Sequence, residues 1–172
     1  AGTPEATAAA LYYLLHSTLA VAVLFLLADL IASQRGDRLA PAAPLAGIVA
    51  TLFMVAAVAV VGMPPLSGFI GKLLVMEALR NEAAATWSFI LAASFITLLG
   101  LARAGSVLFW KTEGAALPRP PALPLLAIGC GLAGLVALTL CAGPVTEWLR
   151  ITATMLHDPS ASIAAMKLGI TS

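Results

Sequence analysis

Apolar and polar positions divide the chain into four long apolar runs separated by short polar breaks. The first covers 6–32. Its centre, LYYLLHSTLAVAVLFLLADLI (11–31), holds only His16 and Asp29 as ionisable groups. The second covers 44–79 and is interrupted at 63–68; the third covers 86–109; the fourth covers 123–141. About 20 apolar residues cross the hydrocarbon core of a bilayer, so each run predicts a membrane-spanning helix. Trp87 and Trp110 mark the two ends of the third run, as an interfacial aromatic belt would. Residues 1–143 are thus read as a transmembrane region. Beyond them, 144–172 mixes apolar positions (Val145, Trp148, Leu149, Ile151, Met155, Leu156) with polar ones. That tail predicts an interfacial helix followed by a loosely ordered end.

The interruption in the second run is GMPPLSGFIGK, residues 62–72. Pro64 and Pro65 remove two backbone donors and push the preceding residue toward extended geometry, so no helix runs smoothly through them. Gly62 and Gly68 add backbone freedom on either side. Ser67 stands where it can hydrogen-bond backbone groups that the break sets free. In hydrocarbon such groups are tolerated only against protein or around water. As one continuous helix, 44–79 would be about 54 Å long. Two arrangements satisfy that length: one interrupted span, or a full span followed by a half-helix.

Composition changes the picture from helical to membrane-embedded. Of 172 residues, 61% are hydrophobic and 10% charged, with a mean hydropathy of +1.03. A soluble domain carries roughly 25% charged residues, which this chain could not supply to a water-facing surface. The expected fold is an all-α polytopic helical bundle with about four spans, one of them broken at Pro64–Pro65. A net charge of +1 offers nothing to nucleic acid. Cys130 and Cys141 are about 16 Å apart along one helix, too far for a disulfide, and read as buried small apolar residues. The chain opens at Ala1 and enters a span almost at once, and is read as part of a longer protein.

Loop charges set an orientation. Loop 33–43 holds Arg35 and Arg38, loop 110–122 holds Lys111 and Arg119, and the loop between the second and third runs holds Arg80 alone. By the positive-inside rule the first two are cytoplasmic and the tail lies outside.

Among the ionisable residues, Lys72 stands first. A lysine at membrane depth is costly unless it meets a partner or water, and desolvation penalises its charged form. Lys72 is therefore a candidate proton-transfer residue. His16 is the second candidate, since an imidazole titrates near neutral pH; packing against Ser17, Thr18 or a carbonyl is the other reading. Glu77, Arg103 and Asp29 are secondary candidates. Glu77 lies about 140° around the helix from Lys72, so the two are not a simple intrahelical pair. No metal-ligand spacing, nucleophile–base pattern or phosphate-binding loop occurs, so neither a cofactor nor an enzymatic reaction is expected.

Three stretches, LYYLLHSTLAVAVLFLLADLI (11–31), GMPPLSGFIGK (62–72) and GLARAGSVLFWKTEG (100–114), together resemble the D-type subunit of the multisubunit Mrp/Pha-type monovalent cation/proton antiporters. The antiporter-like subunits of respiratory complex I are similar but more distant. The resemblance implies about fourteen helices with two inverted repeats, each containing one broken helix. It places this chain in the C-terminal third, in a bacterial inner membrane, beside other antiporter subunits, moving protons against Na⁺ or K⁺. It also implies proton transfer at Lys72 and a place for His16 on the central hydrophilic axis. Many complex I relatives carry a lysine four residues after that histidine; here the position is Ala20. The expected function is proton translocation in a Na⁺(K⁺)/H⁺ antiporter. The alternatives are a proton-pumping subunit of an NADH:quinone oxidoreductase and a non-conducting scaffold.

Overall fold

The computed structural model describes residues 2–36, 39, 44–110, 117–158 and 160, and these contain helices but no strand. Helix α1 (Pro4–Gln34) begins where local chemistry dictates. The Thr3 hydroxyl accepts from the Ala6 amide at 3.2 Å, and Pro4 and Glu5 occupy the first turn. It ends before Gly36, whose φ is 65°. Helix α2 (Gly47–Val61) is followed by the break and then by α3 (Ser67–Ala78). A 3-10 turn over Arg80–Glu82 leads into α4 (Ala83–Gly105), which widens to a π-helix over Ser106–Trp110. Helices α5 (Ala122–Leu140) and α6 (Ala142–His157) complete the order.

Helix α1 is the axis. Helices α2, α3, α5 and α6 pack against it, and α4 covers α2 and α3. At one end of the bundle the Leu117 amide donates to the Pro44 carbonyl at 2.9 Å, and Gln34 Nε2 donates to the Pro118 carbonyl at 3.3 Å. Arg35 donates to the π-helix carbonyl of Leu108 at 2.7 Å. The end of α1 thus meets the chain entering α2, the chain entering α5 and the end of α4. From there α2 and then α3 run back along α1, from Pro44 to Ile70 and Leu74 beside Tyr12 and Ala8. At 15 residues, α2 rises about 22 Å and cannot alone cross a core about 30 Å thick. Joined to α3 it can. After the break, α3 continues the run of α2 back along α1.

Helices α1, α5 and the α4 unit to Trp110 are each long and apolar enough to cross a membrane. Val23, Leu27, Ile31, Val49, Ile128 and Leu135 form the main core between α1, α2 and α5. Gly131 of α5 lies so close to Val23 that a side chain there would collide with it. A second cluster joins Ala8 and Tyr12 of α1 to Leu149 and Ala153 of α6. One expectation is corrected here: Cys130 and Cys141 are free and exposed, not buried. The face of α5 that meets α1 carries Ile128, Gly131 and Leu135, which turns Cys130 away from the seam. Asp37, Arg38 and Lys111 of the two basic loops, and the chain end over 161–172, lie outside the described residues.

Candidate functional site

The site is built on the end of α2. Gly62 has φ 72° and closes the helix in a Schellman arrangement. Its amide bonds the Ala59 carbonyl at 3.0 Å, and the Met63 amide bonds the Val58 carbonyl at 3.1 Å. Pro64 and Pro65, joined by a cis peptide bond, cannot extend the ladder. The Val61 carbonyl is left facing the break, at the negative end of the α2 dipole. Lys72 fills that position: its side chain folds back along α3 and Nζ donates to the Val61 carbonyl. Nζ also donates to Ser94 Oγ on α4 at 2.6 Å. Gly62 serves a second purpose here, since a Cβ would come within 2.9 Å of Lys72 Cε and Nζ.

His16 reaches the same break from α1. Its Nδ1 lies 2.9 Å from Ser67 Oγ in the first turn of α3. Its other ring edge faces Gly68 and the Ala59 carbonyl so closely that a Cβ on Gly68 would sit 2.5 Å from Nε2 and 2.8 Å from the Ala59 oxygen. His16 and Ser67 are the buried polar side chains of the core, at 2% and 0% exposure. A buried polar group is costly unless bonded, and these two bond each other. Tyr13 packs its ring 6.0 Å from that of His16, and its Cδ2 would lie 3.0 Å from a Cβ on Gly71.

Beside Lys72 a cavity of about 250 Å³ opens between α1, α3 and α4. Tyr13, Ser94 and Thr97 line it together with Val60, Val75, Phe89 and Ile90. The arrangement therefore sets an ammonium, an imidazole and the hydroxyls of Ser67 and Ser94 around one interruption, at mid-length of α1 and α4. Groups of this kind pass protons by short hops. Among the described residues no three His, Cys, Asp or Glu side chains gather, so no metal site of that type forms.

The structure brings together Lys72, His16, Gly62, Pro64, Pro65, Ser67 and Gly68. It leaves the secondary candidates elsewhere. Glu77 pairs with Arg80 at 2.6 Å and borders a different cavity, of about 390 Å³, with Glu5, Thr146 and Arg150 at the far end of the bundle. Asp29 and Arg103 lie on the opposite side of the break from that end, and both are exposed. Ala20 is 2% exposed in the apolar core, so α1 continues past His16 without a further polar group facing that core. Sequence reasoning missed Ser94, Tyr13 and Thr97. Ser94 and Thr97 are polar interruptions of an apolar run, but a helical hydroxyl ordinarily bonds the carbonyl four residues back, as both do at 2.7 and 2.8 Å. That habit hides any second partner.

Residues 1–100 match the family model described as NADH:quinone oxidoreductase/Mrp antiporter, TM. The chain is 30% identical over 187 residues to the probable K(+)/H(+) antiporter D subunit of Rhizobium meliloti, across 88% of this chain and 35% of the relative. It is 30% identical over 154 residues to the Na(+)/H(+) antiporter D subunit of Bacillus subtilis, across 86% and 31%. With the Na(+)/H(+) antiporter D subunit of Alkalihalophilus pseudofirmus it shares 28% over 180 residues, across 95% and 35%. The chain spans about a third of the length of these curated relatives.

Proposed function

This chain belongs to the NADH:quinone oxidoreductase/Mrp antiporter transmembrane family, and on that premise we propose that it is a proton-translocating part of a multisubunit Na⁺(K⁺)/H⁺ antiporter. The observation that carries the reading is the ammonium of Lys72 held at the interrupted helix between the Val61 carbonyl and Ser94. In this reading Lys72 takes up and releases the proton, water in the adjoining cavity carries it on one side, and His16 with Ser67 carries it on the other. The break stays hydrated because it exposes backbone carbonyls. The names of the three relatives, each the D-type component of an antiporter, support cation-coupled exchange over redox-driven pumping.

The same reading places the chain in a bacterial inner membrane beside the other subunits of the antiporter. The bundle end that joins α1 to α2 and α4 to α5 is cytoplasmic, and α6 lies at the outer interface. The meeting of Leu117 with Pro44 and of Gln34 with Pro118 supports putting both basic loops on one side. The mixed surface of α6 supports an interfacial position, with Leu149 and Ala153 buried on α1 and Trp148 and Arg150 exposed.

The test uses inside-out vesicles containing the assembled antiporter and no other exchanger. Acridine-dye fluorescence is followed as Na⁺ or K⁺ is added, for wild type and Lys72→Ala at matched subunit content. Dequenching that is lost in Lys72→Ala places Lys72 on the coupled path. Equal dequenching overturns that role. No cation response from either, with respiration-linked pumping intact, transfers the chain to the redox-complex class.

A further inference from the structure

We propose that Ser94 is a positioning residue which fixes the one N–H position of Lys72 through which the proton is exchanged. The geometry around Ser94 is directional. Its Oγ–H donates to the Ile90 carbonyl at 2.7 Å, which commits the only proton the hydroxyl has. Toward Lys72, at 2.6 Å, Ser94 can therefore only accept. The Val61 carbonyl is likewise only an acceptor. An ammonium carries three N–H groups, and these two acceptors engage two of them. The third is left to the cavity that Lys72 lines with Tyr13 and Thr97.

The neutral amine retains two N–H groups, and two is what Val61 and Ser94 require. Lys72 can thus give up a proton and regain it without releasing either anchor. The proton lost is always the third, and the lone pair that replaces it faces the same way. A lysine on a flexible four-carbon stem has no such preference by itself. Ser94, on α4, supplies it from outside the broken helix, and so ties the direction of exchange to the packing of α4 on α3.

This inference rests on Lys72 being the proton carrier, and its test separates the two. Ser94→Val and Ser94→Thr are nearly equal in shape and differ in the hydroxyl. In vesicles with matched amounts of the assembled antiporter, Ser94→Val is expected to slow cation-dependent exchange about tenfold, and Ser94→Thr to restore it to within about twofold of wild type. Wild-type exchange by Ser94→Val, where exchange still requires Lys72, overturns the role of Ser94 alone. Equal loss in both variants overturns it too, since bulk and not the hydroxyl would then matter. Full exchange by Lys72→Ala overturns both readings together.

Discussion

Two faces of α1 show how differently one helix can be used. Along the seam with α5, α1 presents Leu19, Val23 and Leu27 to Ile128, Gly131 and Leu135, and nothing there bears a charge. Along the interrupted span it presents Tyr12, Tyr13 and His16 to the start of α3, where helix geometry is given up. Glycine appears on both faces for different reasons. Gly131 lets two apolar surfaces close, whereas Gly68 leaves room for an imidazole beside a carbonyl. The seam gains from burial and dispersion without directional demands. The break requires every polar group to find a partner, and those partners are also the groups able to carry a proton. On the proposed reading, stability and transport fall on two sides of one helix.

The contrast can be broken most forcefully at Lys72. Lys72→Ala should lower exchange about 100-fold or more while leaving the amount of protein in the membrane unchanged, read by dye dequenching against immunodetection. A parallel loss of protein would make the break a folding element like the seam. Gly68→Ala comes next, because its Cβ must displace either His16 or the Ala59 carbonyl. Overpacking of this kind costs about 1–3 kcal/mol, and it should lower both exchange and thermal stability in detergent. Gly62→Ala, at φ 72°, meets a strain of about 1–2 kcal/mol and crowds Lys72 directly. Its expected signature is an exchange loss greater than the drop in melting temperature. The smallest effect on transport is expected from Gly131→Ala, whose Cβ would meet Cγ2 of Val23, a stiff β-branched side chain in the apolar seam. It should lower stability by about 1 kcal/mol with exchange per assembled complex unchanged. A transport defect there would show that the two faces are coupled.

Much of this was legible in the residues themselves. The membrane class followed from an apolar excess no soluble surface could carry, and the helix break from Pro64 and Pro65, since backbone donors are a local property of the chain. Lys72 and His16 stood out because an ionisable group is rare inside an apolar run. Ser94 did not, because a hydroxyl bonding its own helix is ordinary. The burial expected of Cys130 and Cys141 failed for a related reason: α5 is apolar all round, so its pattern does not say which face turns inward.

Composition and local backbone rules, then, determined that the chain is helical, membrane-spanning and broken at one place beside a lysine. Only the tertiary structure decided that the lysine folds back to the Val61 carbonyl, that α4 supplies Ser94 to it, and that His16, 51 residues before its partner Ser67, meets the same break. The physical reason is range. Proline, glycine and hydropathy act on neighbouring residues, whereas the rotation and register of one apolar helix on another are set by packing across the whole bundle.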